Sequence, residues 1–406
     1  MKHLRFGMVG GGIGSFIGDV HHRGAQMDDL AIMTAGCFSR HAEKNQATGE
    51  QWHIPSDRLY TDYKEMVEKE SAREDGIDFV VIATPNKMHF PIAKAFLEHG
   101  IHVSCDKPVA MNIQEAKELQ KLAEEKGLHF GVSYTYVNYP MIHQIRDMIE
   151  MGEIGRILTV VAEYPQDWVM NGLDRGDDVR HAWRFDRSQA GDSACCADIG
   201  THLSCLIERA TGLDIEQVLA NLTPIPADMP LDTNAQVMLK LTGGVPGLLW
   251  ASQVAIGHEC GVSIRVFGDK GSLEWSHEQP TRLKVTKANG PEIYYTNGRS
   301  FLTKRVENLS RIAAGHPEGF FEAFGNYYRG FCHDVLRCMG EDVPQLSHPT
   351  IADGIKSMAF VDACVKSNEN GNIWVPVSER RQKVYPENAK IVLLLQNNRK
   401  ISIIFR

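Results

Sequence analysis

The stretch that decides the fold is Phe6-Gly-Met-Val-Gly-Gly-Gly-Ile-Gly-Ser-Phe-Ile-Gly18. A short apolar run ends in a cluster of glycines, and a helix-like segment follows it directly. This order predicts a strand, a tight turn and a helix N-terminus, which together can present backbone N–H groups to a pyrophosphate. Gly10 and Gly12 fill the first two positions of G-x-G-x-x-G, whereas Ser15 occupies the third. Such a fingerprint alone is weak evidence, and an ordinary glycine-rich turn is the alternative.

The segments that follow strengthen the pyrophosphate interpretation, because strands and helices alternate as far as residue 134. The predicted strands are Phe6–Val9, Ala31–Cys37, Phe79–Ala83, Ile101–Cys105 and His129–Val132. The predicted helices are Ser15–Met27, Ala42–Trp52, Tyr63–Glu70, His89–Glu98 and Ile113–Lys126. This alternation predicts βαβ units, and hence a doubly wound parallel sheet covered on both faces. We therefore expect an α/β fold with a dinucleotide-binding domain over residues 1–134.

The regular alternation of strands and helices ends after residue 134. A helix and a strand lead to a polar segment, a second helix and then a series of short strands separated by glycine-rich turns. Successive strands with close turns predict a mostly antiparallel sheet, so residues 135–378 should form an α+β domain. The remaining tail, 379–406, contains two apolar, β-prone runs and receives no structural assignment.

Composition limits the classes of function. The chain of 406 residues is 43% hydrophobic, 23% charged and carries a net charge of −8, which argues against nucleic acid as the main partner. No apolar run approaches the roughly 20 residues that span a bilayer, and the N-terminal residues enter a strand directly, so we expect neither a membrane segment nor a signal peptide. The nine cysteines are scattered and form no C-x-x-C pair, as in a reduced cytoplasmic protein.

Candidate cofactor contacts lie where the predicted strands end. Ser39 and Arg40 follow the second strand, where an NAD site usually carries an acidic residue, so NADP is slightly favoured over NAD. Thr84 and Asn86 follow the strand Phe79–Ala83 and could line the nicotinamide ribose. As alternatives, Arg40 could simply be solvated, and the Thr84 loop could be a plain helix start.

Candidate catalytic groups come from two distant places. Lys107 ends a predicted strand and would project into the ligand crevice. Asp198 and His202 are four residues apart, so on a helix they would share one face, and a carboxylate beside an imidazole suits a general base. Taken singly, a strand-end turn and an ordinary helix-start pair are the better explanations of these residues.

Two short motifs could suggest a metal. Gly257-His-Glu-Cys260 and Gly315-His-Pro-Glu-Gly319 each contain a histidine, but neither has a neighbouring set of ligands. Zinc needs three or four convergent nitrogen or sulfur ligands. The sequence therefore predicts no metal site.

Taken together, three ordered motifs give the chain a specific likeness over about residues 4–370. They are the turn Gly10–Gly14, the strand end Asp106-Lys107-Pro108 and the pair Asp198-x-x-x-His202, with Ala83–His89 and Trp183-Arg184 in support. The chain resembles the glucose–fructose oxidoreductase, inositol dehydrogenase and rhizopine catabolism family (Gfo/Idh/MocA). The departures are Ser15, in place of the third glycine, and Gly191-Asp-Ser193, where many members have a glycine-rich loop.

The resemblance implies a Rossmann domain joined to a domain with a large open sheet that makes homodimer or homotetramer contacts. It also implies a nicotinamide cofactor, NAD(P), and a sugar, inositol or related polyol as substrate. Lys107, Asp198 and His202 would be catalytic, and Trp183 and Arg184 would contact the substrate. The expected cofactor contacts are Gly10, Gly12, Ile13, Gly14, Ser39, Arg40, Thr84, Asn86, His89, Asp106 and Lys107.

The sequence thus predicts a reversible NAD(P)-dependent dehydrogenase that acts on a secondary alcohol. His202 would be the general base, Lys107 would stabilise charge on the reacting oxygen, and Asp198 would orient His202 or bind a neighbouring hydroxyl. Two alternatives stay open: a redox-neutral glycosidase or epimerase that uses NAD transiently, and a non-catalytic nucleotide-binding sensor.

Overall fold

The first half of the fold is a five-stranded parallel sheet with helices on both faces. The structure, a computed structural model, describes residues 2–377. The elements in chain order are β1 Leu4–Gly10, α1 Phe16–Gln26, β2 Ala31–Cys37, α2 Ala42–Gln51, α3 Tyr63–Ser71, β3 Phe79–Ala83, α4 His89–Glu98, β4 His102–Cys105, α5 Ile113–Lys126 and β5 Phe130–Val132. The strand order is β2-β1-β3-β4-β5, which confirms the doubly wound sheet. Each predicted element is present, and its boundaries differ by no more than two residues.

Local sequence explains these boundaries. The Asn112 side chain accepts a hydrogen bond from the Glu115 amide 2.9 Å away and starts α5, and Gly127, with φ of 65°, ends it. The strands β1 and β3 are buried on both faces, because α1 covers one face and α4 the other. The carboxyl ends of these strands therefore meet at one open edge.

The second half is built on a nine-stranded sheet. Its elements are α6 Pro140–Glu150, β6 Ile157–Pro165, α7 Trp168–Asp174, α8 Arg187–Ala190, α9 Thr201–Thr211, β7 Ile215–Thr223, β8 Asn234–Leu241, β9 Val245–Ser252, β10 Ser263–Gly268, β11 Gly271–Ser276, β12 Arg282–Lys287, β13 Glu292–Thr296, α10 Lys304–Glu307, α11 Phe320–Cys338, α12 Ile351–Glu369 and β14 Val375–Pro376. The strand order is β13-β12-β11-β10-β6-β9-β8-β7-β14. Among the described strands of this second sheet, only β6 and β9 pair in parallel, so the expected mostly antiparallel sheet is confirmed.

The two faces of this sheet differ. Helices α9 and α12 lie against one face, where alternate strand residues are buried. The opposite face is open and exposes large apolar side chains, among them Leu158, Met238, Leu248 and Tyr294. The sheet is therefore an open one, as expected.

Helix α11 returns to the first sheet. Phe331 and Phe79 pack edge to face with ring centroids 5.0 Å apart, and Phe79 stacks on Phe6 at 5.1 Å. A helix from the C-terminal part of the chain thus completes the apolar cover of the nucleotide-binding sheet. This long-range packing also fixes the two sheets relative to each other.

Two expectations concern the rest of the chain. No helix within residues 2–377 has the length and apolarity needed to cross a membrane. The tail 379–406 and its two apolar runs lie outside the described residues.

Candidate active site between the two sheets

A cavity of about 840 Å³ runs from the glycine turn after β1 to the start of α9. Its volume lies in the range of small-molecule and cofactor sites. The carboxyl ends of the parallel strands form one wall, and residues from the second half of the chain form the other. The lining residues used below are Gly10, Gly12, Gly14, Lys44, Thr84, Asn86, Asp106, Lys107, Tyr136, Tyr164, Gln166, Trp183, Arg184, Asp198 and His202.

The glycine turn forms one end of the cavity and needs glycine for steric reasons. Gly10 has φ of 81°, and a Cβ there would lie 2.3 Å from the carbonyl oxygen of Ala83. A Cβ at Gly18 would lie only 1.7 Å from the carbonyl oxygen of Gly11. Gly18 lies outside the G-x-G-x-x-G spacing, but it allows the close helix–turn contact that the third glycine of that motif allows. Ser15 instead caps α1, accepting a hydrogen bond from the Gly18 amide 3.3 Å away.

The residues after β2 are arranged differently from expectation. Ser39 accepts a hydrogen bond from the His41 amide, Arg40 is exposed, and neither residue lines the cavity. Ile13 does not line the cavity either. Its amide donates to the Thr48 hydroxyl 3.1 Å away. The cation that reaches the cavity at this end is Lys44, which sequence reasoning did not single out.

The loop after β3 lies in the middle of the cavity. The buried hydroxyl of Thr84 has no hydrogen-bond partner among the described residues, as expected of a group that awaits a ligand. Asn86 also lines the cavity. His89 lies beneath the loop, 1% exposed, with its ring nitrogens 2.7 Å and 2.8 Å from the carbonyl oxygens of Pro108 and Thr84. His89 therefore braces this loop.

An ion pair crosses the cavity. The ammonium of Lys107 lies 2.7 Å from Oδ1 of Asp198 and 2.5 Å from the backbone oxygen of the same residue. Lys107 follows β4 of the first sheet, and Asp198 lies in a π-helical turn, Cys196–Gly200, that leads into α9. An ammonium has three hydrogens, so one remains for a ligand in the cavity.

The Asp198 carboxylate is held on its other side as well. Gln253 Nε2 donates to Oδ2 at 3.2 Å, and the Arg184 guanidinium lies 3.7 Å away. Burial raises the pKa of the Asp198 carboxyl, but Lys107 and Arg184 outweigh that effect and hold the pKa well below its usual range. Asp198 is thus a fixed anion. Within residues 2–377 no hydrogen bond joins it to His202, so its direct partner is Lys107.

His202 lies among aromatic rings at the same end of the cavity. Tyr136 and Tyr134 meet the imidazole edge to face, with ring centroids 4.9 Å and 5.7 Å away. Burial, followed by the charge of Lys107, lowers the pKa of His202 to about 3, so the imidazole is neutral at pH 7. Its Nδ1 atom is buried without a hydrogen-bond partner in the described part of the chain. The imidazole, which lines the cavity, therefore keeps an unpartnered nitrogen.

A second buried pair supports the strand end that carries Lys107. Asp106 accepts hydrogen bonds from Ser133 and lies 3.4 Å from Nε2 of His21, a fully buried residue of α1. Burial opposes ionisation, but His21 and Ser133 lower the pKa of Asp106 to about 2. Nδ1 of His21 is in turn 2.5 Å from the Tyr328 hydroxyl on α11. Hydrogen bonds thus join helix α1, the strand end that carries Lys107, and α11.

The remaining wall combines aromatic faces with polar groups. The Arg184 guanidinium lies 4.6 Å from the Trp183 ring centroid, so the two predicted substrate contacts stack on each other. Tyr136 and Tyr164 share a hydrogen bond of 2.6 Å, and Gln166 Nε2 donates to Tyr164 at 3.2 Å. These three residues were not predicted from sequence, because lone tyrosines and glutamines carry no recognisable spacing.

Family models now identify the architecture. Residues 4–134 match the oxidoreductase family with an NAD-binding Rossmann fold, and residues 142–274 match the Gfo/Idh/MocA C-terminal domain. The chain belongs to the Gfo/Idh/MocA family. It is therefore an NAD(P)-dependent oxidoreductase, and the family prediction from sequence is confirmed.

Individual relatives agree with this assignment. The uncharacterized oxidoreductase YfiI of Bacillus subtilis is 35% identical over 92% of this chain and 97% of the relative. An inositol dehydrogenase homologue of Azotobacter vinelandii complexed with NAD⁺ superposes with a TM-score of 0.88 at 34% identity, over 92% of this chain and 97% of the other. Levoglucosan dehydrogenase of Pseudarthrobacter phenanthrenivorans is 25% identical over 93% of this chain and 99% of the relative.

The packing of Gly18 yields a test of the nucleotide end. Replacing Gly18 by Ala should push α1 away from the glycine turn, because the added Cβ would lie 1.7 Å from the Gly11 carbonyl oxygen. In catalysis, a misplacement of about 1 Å can lower the rate about 100-fold. We expect Gly18→Ala to weaken NAD(P)⁺ binding at least about tenfold by calorimetry. Asp19→Ala, a neighbour paired only with the exposed Arg23, is the matched control. Equal affinity of the Gly18→Ala and control proteins would contradict this role.

Proposed function

We propose that this oxidoreductase moves a hydride between the nicotinamide ring and a secondary alcohol or ketone of a sugar, inositol or related polyol. The observation that carries the proposal is the Lys107–Asp198 ion pair beside the neutral His202, all at one end of a cavity whose other end is the glycine turn. The inositol dehydrogenase homologue and levoglucosan dehydrogenase named above support the substrate class.

The cavity suits a nicotinamide cofactor. The glycine turn leaves room for a pyrophosphate at the start of α1, and the unpartnered Thr84 hydroxyl suits a ribose hydroxyl. Bound there, the cofactor supplies the hydride chemistry, while the protein binds, orients and manages the proton.

Lys107 would stabilise the reacting oxygen. Two of its hydrogens are directed at Asp198, and the third can donate to an alcohol or ketone oxygen in the cavity. A fixed ammonium stabilises negative charge as it develops on that oxygen. Asp198 would hold the ammonium in place, which replaces the expected orienting of His202 as its main role.

His202 would accept the proton of the alcohol during oxidation. A general base must be neutral before it accepts a proton, and burial keeps this imidazole neutral. The low pKa also means that the protonated form is short-lived, so the proton must pass on to water. In the reductive direction the same nitrogen would return a proton to the oxygen.

The wall around Trp183 and Arg184 would bind the rest of the substrate. Aromatic faces can cover the C–H face of a sugar ring, and the hydroxyls of Tyr136 and Tyr164 with the amide of Gln166 can bind its hydroxyls. Uncharged donors and acceptors next to aromatic rings favour a polyhydroxylated neutral ligand.

The residues near the expected position of the adenosine ribose favour a cofactor with a 2′-phosphate. The strand end Cys37-Phe-Ser-Arg40 supplies no carboxylate for a ribose 2′-hydroxyl, and the ammonium side chain of Lys44 lines the cavity. We propose that NADP⁺ is slightly favoured over NAD⁺.

The proposed activity is tested by assaying purified protein against a panel of inositols and sugars with both cofactors, recording NAD(P)H absorbance. At least one substrate should give net NAD(P)H, and His202→Asn should lower kcat by about 10²–10⁴ while cofactor affinity stays unchanged. His181→Asn, at an exposed histidine bonded only to Asp178, is the control. Conversion without NAD(P)H accumulation would favour the epimerase or glycosidase alternative, and cofactor binding without any turnover would favour the sensor.

The pKa of His202 gives an expected pH dependence. A histidine with the ordinary pKa of about 6.5 would be about 97% protonated at pH 5 and would lose oxidation activity. Because burial lowers the pKa of His202 to about 3, kcat/KM for oxidation should show no loss from this group between pH 8 and pH 5. An acid limb near pH 6.5 that vanishes in His202→Asn would contradict this prediction.

The cofactor proposal predicts a change in selectivity. Removing the ammonium in Lys44→Ala should lower kcat/KM for NADP⁺ about tenfold and leave kcat/KM for NAD⁺ nearly unchanged. Only NADP⁺ has a 2′-phosphate, so only NADP⁺ loses a hydrogen bond between charged groups. Lys64→Ala, at an exposed lysine of α3, is the control. A wild-type preference for NAD⁺ that Lys44→Ala does not alter would contradict the proposal.

A further inference from the structure

Away from the catalytic cavity, three potential metal ligands converge from distant parts of the sequence. They are His129, just before β5, Asp334 on α11, and His348 in the segment that precedes α12. One ligand atom from each lies within 4.8 Å of the others. None of the three lines the catalytic cavity. The sequence offered no hint of the cluster, since His129 lies more than 200 residues before Asp334 and His348.

The backbone fixes this cluster in place. The segment with His348 runs alongside β5, where Gly131 and Thr350 form an antiparallel bridge and the Val132 amide donates to the Pro349 carbonyl at 3.2 Å. His348 is 4% exposed and Asp334 lies on the same long helix that covers the first sheet. Ligands held by regular structure need little ordering on binding, which favours affinity.

The hydrogen bonding of His348 leaves one nitrogen for a metal. Its Nδ1 lies 3.2 Å from the carbonyl oxygen of Leu346, and a carbonyl only accepts, so Nδ1 carries the hydrogen. Nε2 therefore bears a lone pair, and it faces Nε2 of His129 at 2.7 Å. A histidine held by a backbone carbonyl through one nitrogen and free to ligate through the other is the usual arrangement at metal sites.

The charge state of the cluster also suits a cation. The Asp334 carboxylate supplies negative charge. Its Oδ2 is 3.9 Å from Nδ1 of His348, on the N–H side of that ring, and its other oxygen accepts from Arg337 at 3.3 Å, so the carboxylate has to turn toward Nε2 for both residues to bind one ion. Two imidazoles and one carboxylate match zinc and similar transition metals better than magnesium or calcium.

We propose that His129, Asp334 and His348 form a binding site for a divalent transition metal ion of the zinc type. Two nitrogen ligands of tetrahedral zinc are about 3.3 Å apart, so the two Nε2 atoms, now 2.7 Å apart, must separate by about 0.6 Å. With the metal bound, β5, α11 and the segment before α12 are cross-linked, which strengthens the attachment of the C-terminal helices to the nucleotide-binding sheet. Water would complete the coordination.

The test is a titration of tag-free, chelator-treated full-length protein with ZnCl₂ by calorimetry. We expect one equivalent to bind with a Kd of about 10 µM or tighter, and His129→Gln, His348→Gln and Asp334→Asn each to weaken binding at least about tenfold. His99→Gln, at an exposed histidine bonded only to the Ala95 carbonyl, is the matched control. Zinc should raise the Tm of the wild type and the control, but not of the three variants.

Two results would overturn the proposal. Absence of saturable binding below about 100 µM would show that the histidines form only an N–H···N hydrogen bond. One-equivalent binding that persists in the variants would place the ion elsewhere. If a histidine variant fails to fold, Asp334→Asn and the visible absorption of Co²⁺ in the wild type still decide the question. These readouts are independent of enzymatic turnover, so they do not depend on the proposed substrate.

Discussion

The ion pair between Lys107 and Asp198 is the contact on which the functional arrangement depends. It joins the end of a strand in the parallel sheet to the turn that begins α9 beneath the antiparallel sheet. Its side chains are 14% and 26% exposed, so loss of Asp198 would leave the largely buried ammonium of Lys107 without its anionic partner. The pair thus has two effects at once. It fixes the ammonium at the end of the cavity that holds His202, and it links the two halves of the chain across that cavity.

The surrounding residues set the charge state of each group near this pair. Gln253 and Arg184 lie against the second carboxylate oxygen of Asp198, and with Lys107 they hold this group in its ionised form. The aromatic surroundings of His202 keep that imidazole neutral. On the other side, Asp106 joins the strand end that carries Lys107 to His21 on α1. His21 in turn contacts Tyr328 on α11. Helix α1, which follows the glycine turn, and the strand end that carries Lys107 are consequently parts of one hydrogen-bonded framework.

Sequence predicted the local features of the fold well and the long-range ones poorly. Strands and helices of the first sheet follow from hydrophobic periodicity, which is encoded within about ten residues. The fixed spacing of a motif failed at Gly18, because the structural requirement is proximity to Gly11 rather than a set interval. Lys107 and Asp198 were both predicted, but their contact spans 91 residues and could not be read from either segment. For the same reason, the sequence did not indicate that α11 packs on the first sheet or that Lys44 lines the cavity.

The most direct test of this account is a double-mutant cycle on kcat/KM with Lys107→Met, Asp198→Asn and the double variant. If Asp198 acts by holding Lys107, its loss should matter little once the ammonium is gone. We therefore predict that each single variant loses about 10²–10³-fold and that the double variant is about as active as Lys107→Met alone. Losses that multiply in the double variant would show that the two residues act independently, and would contradict the account.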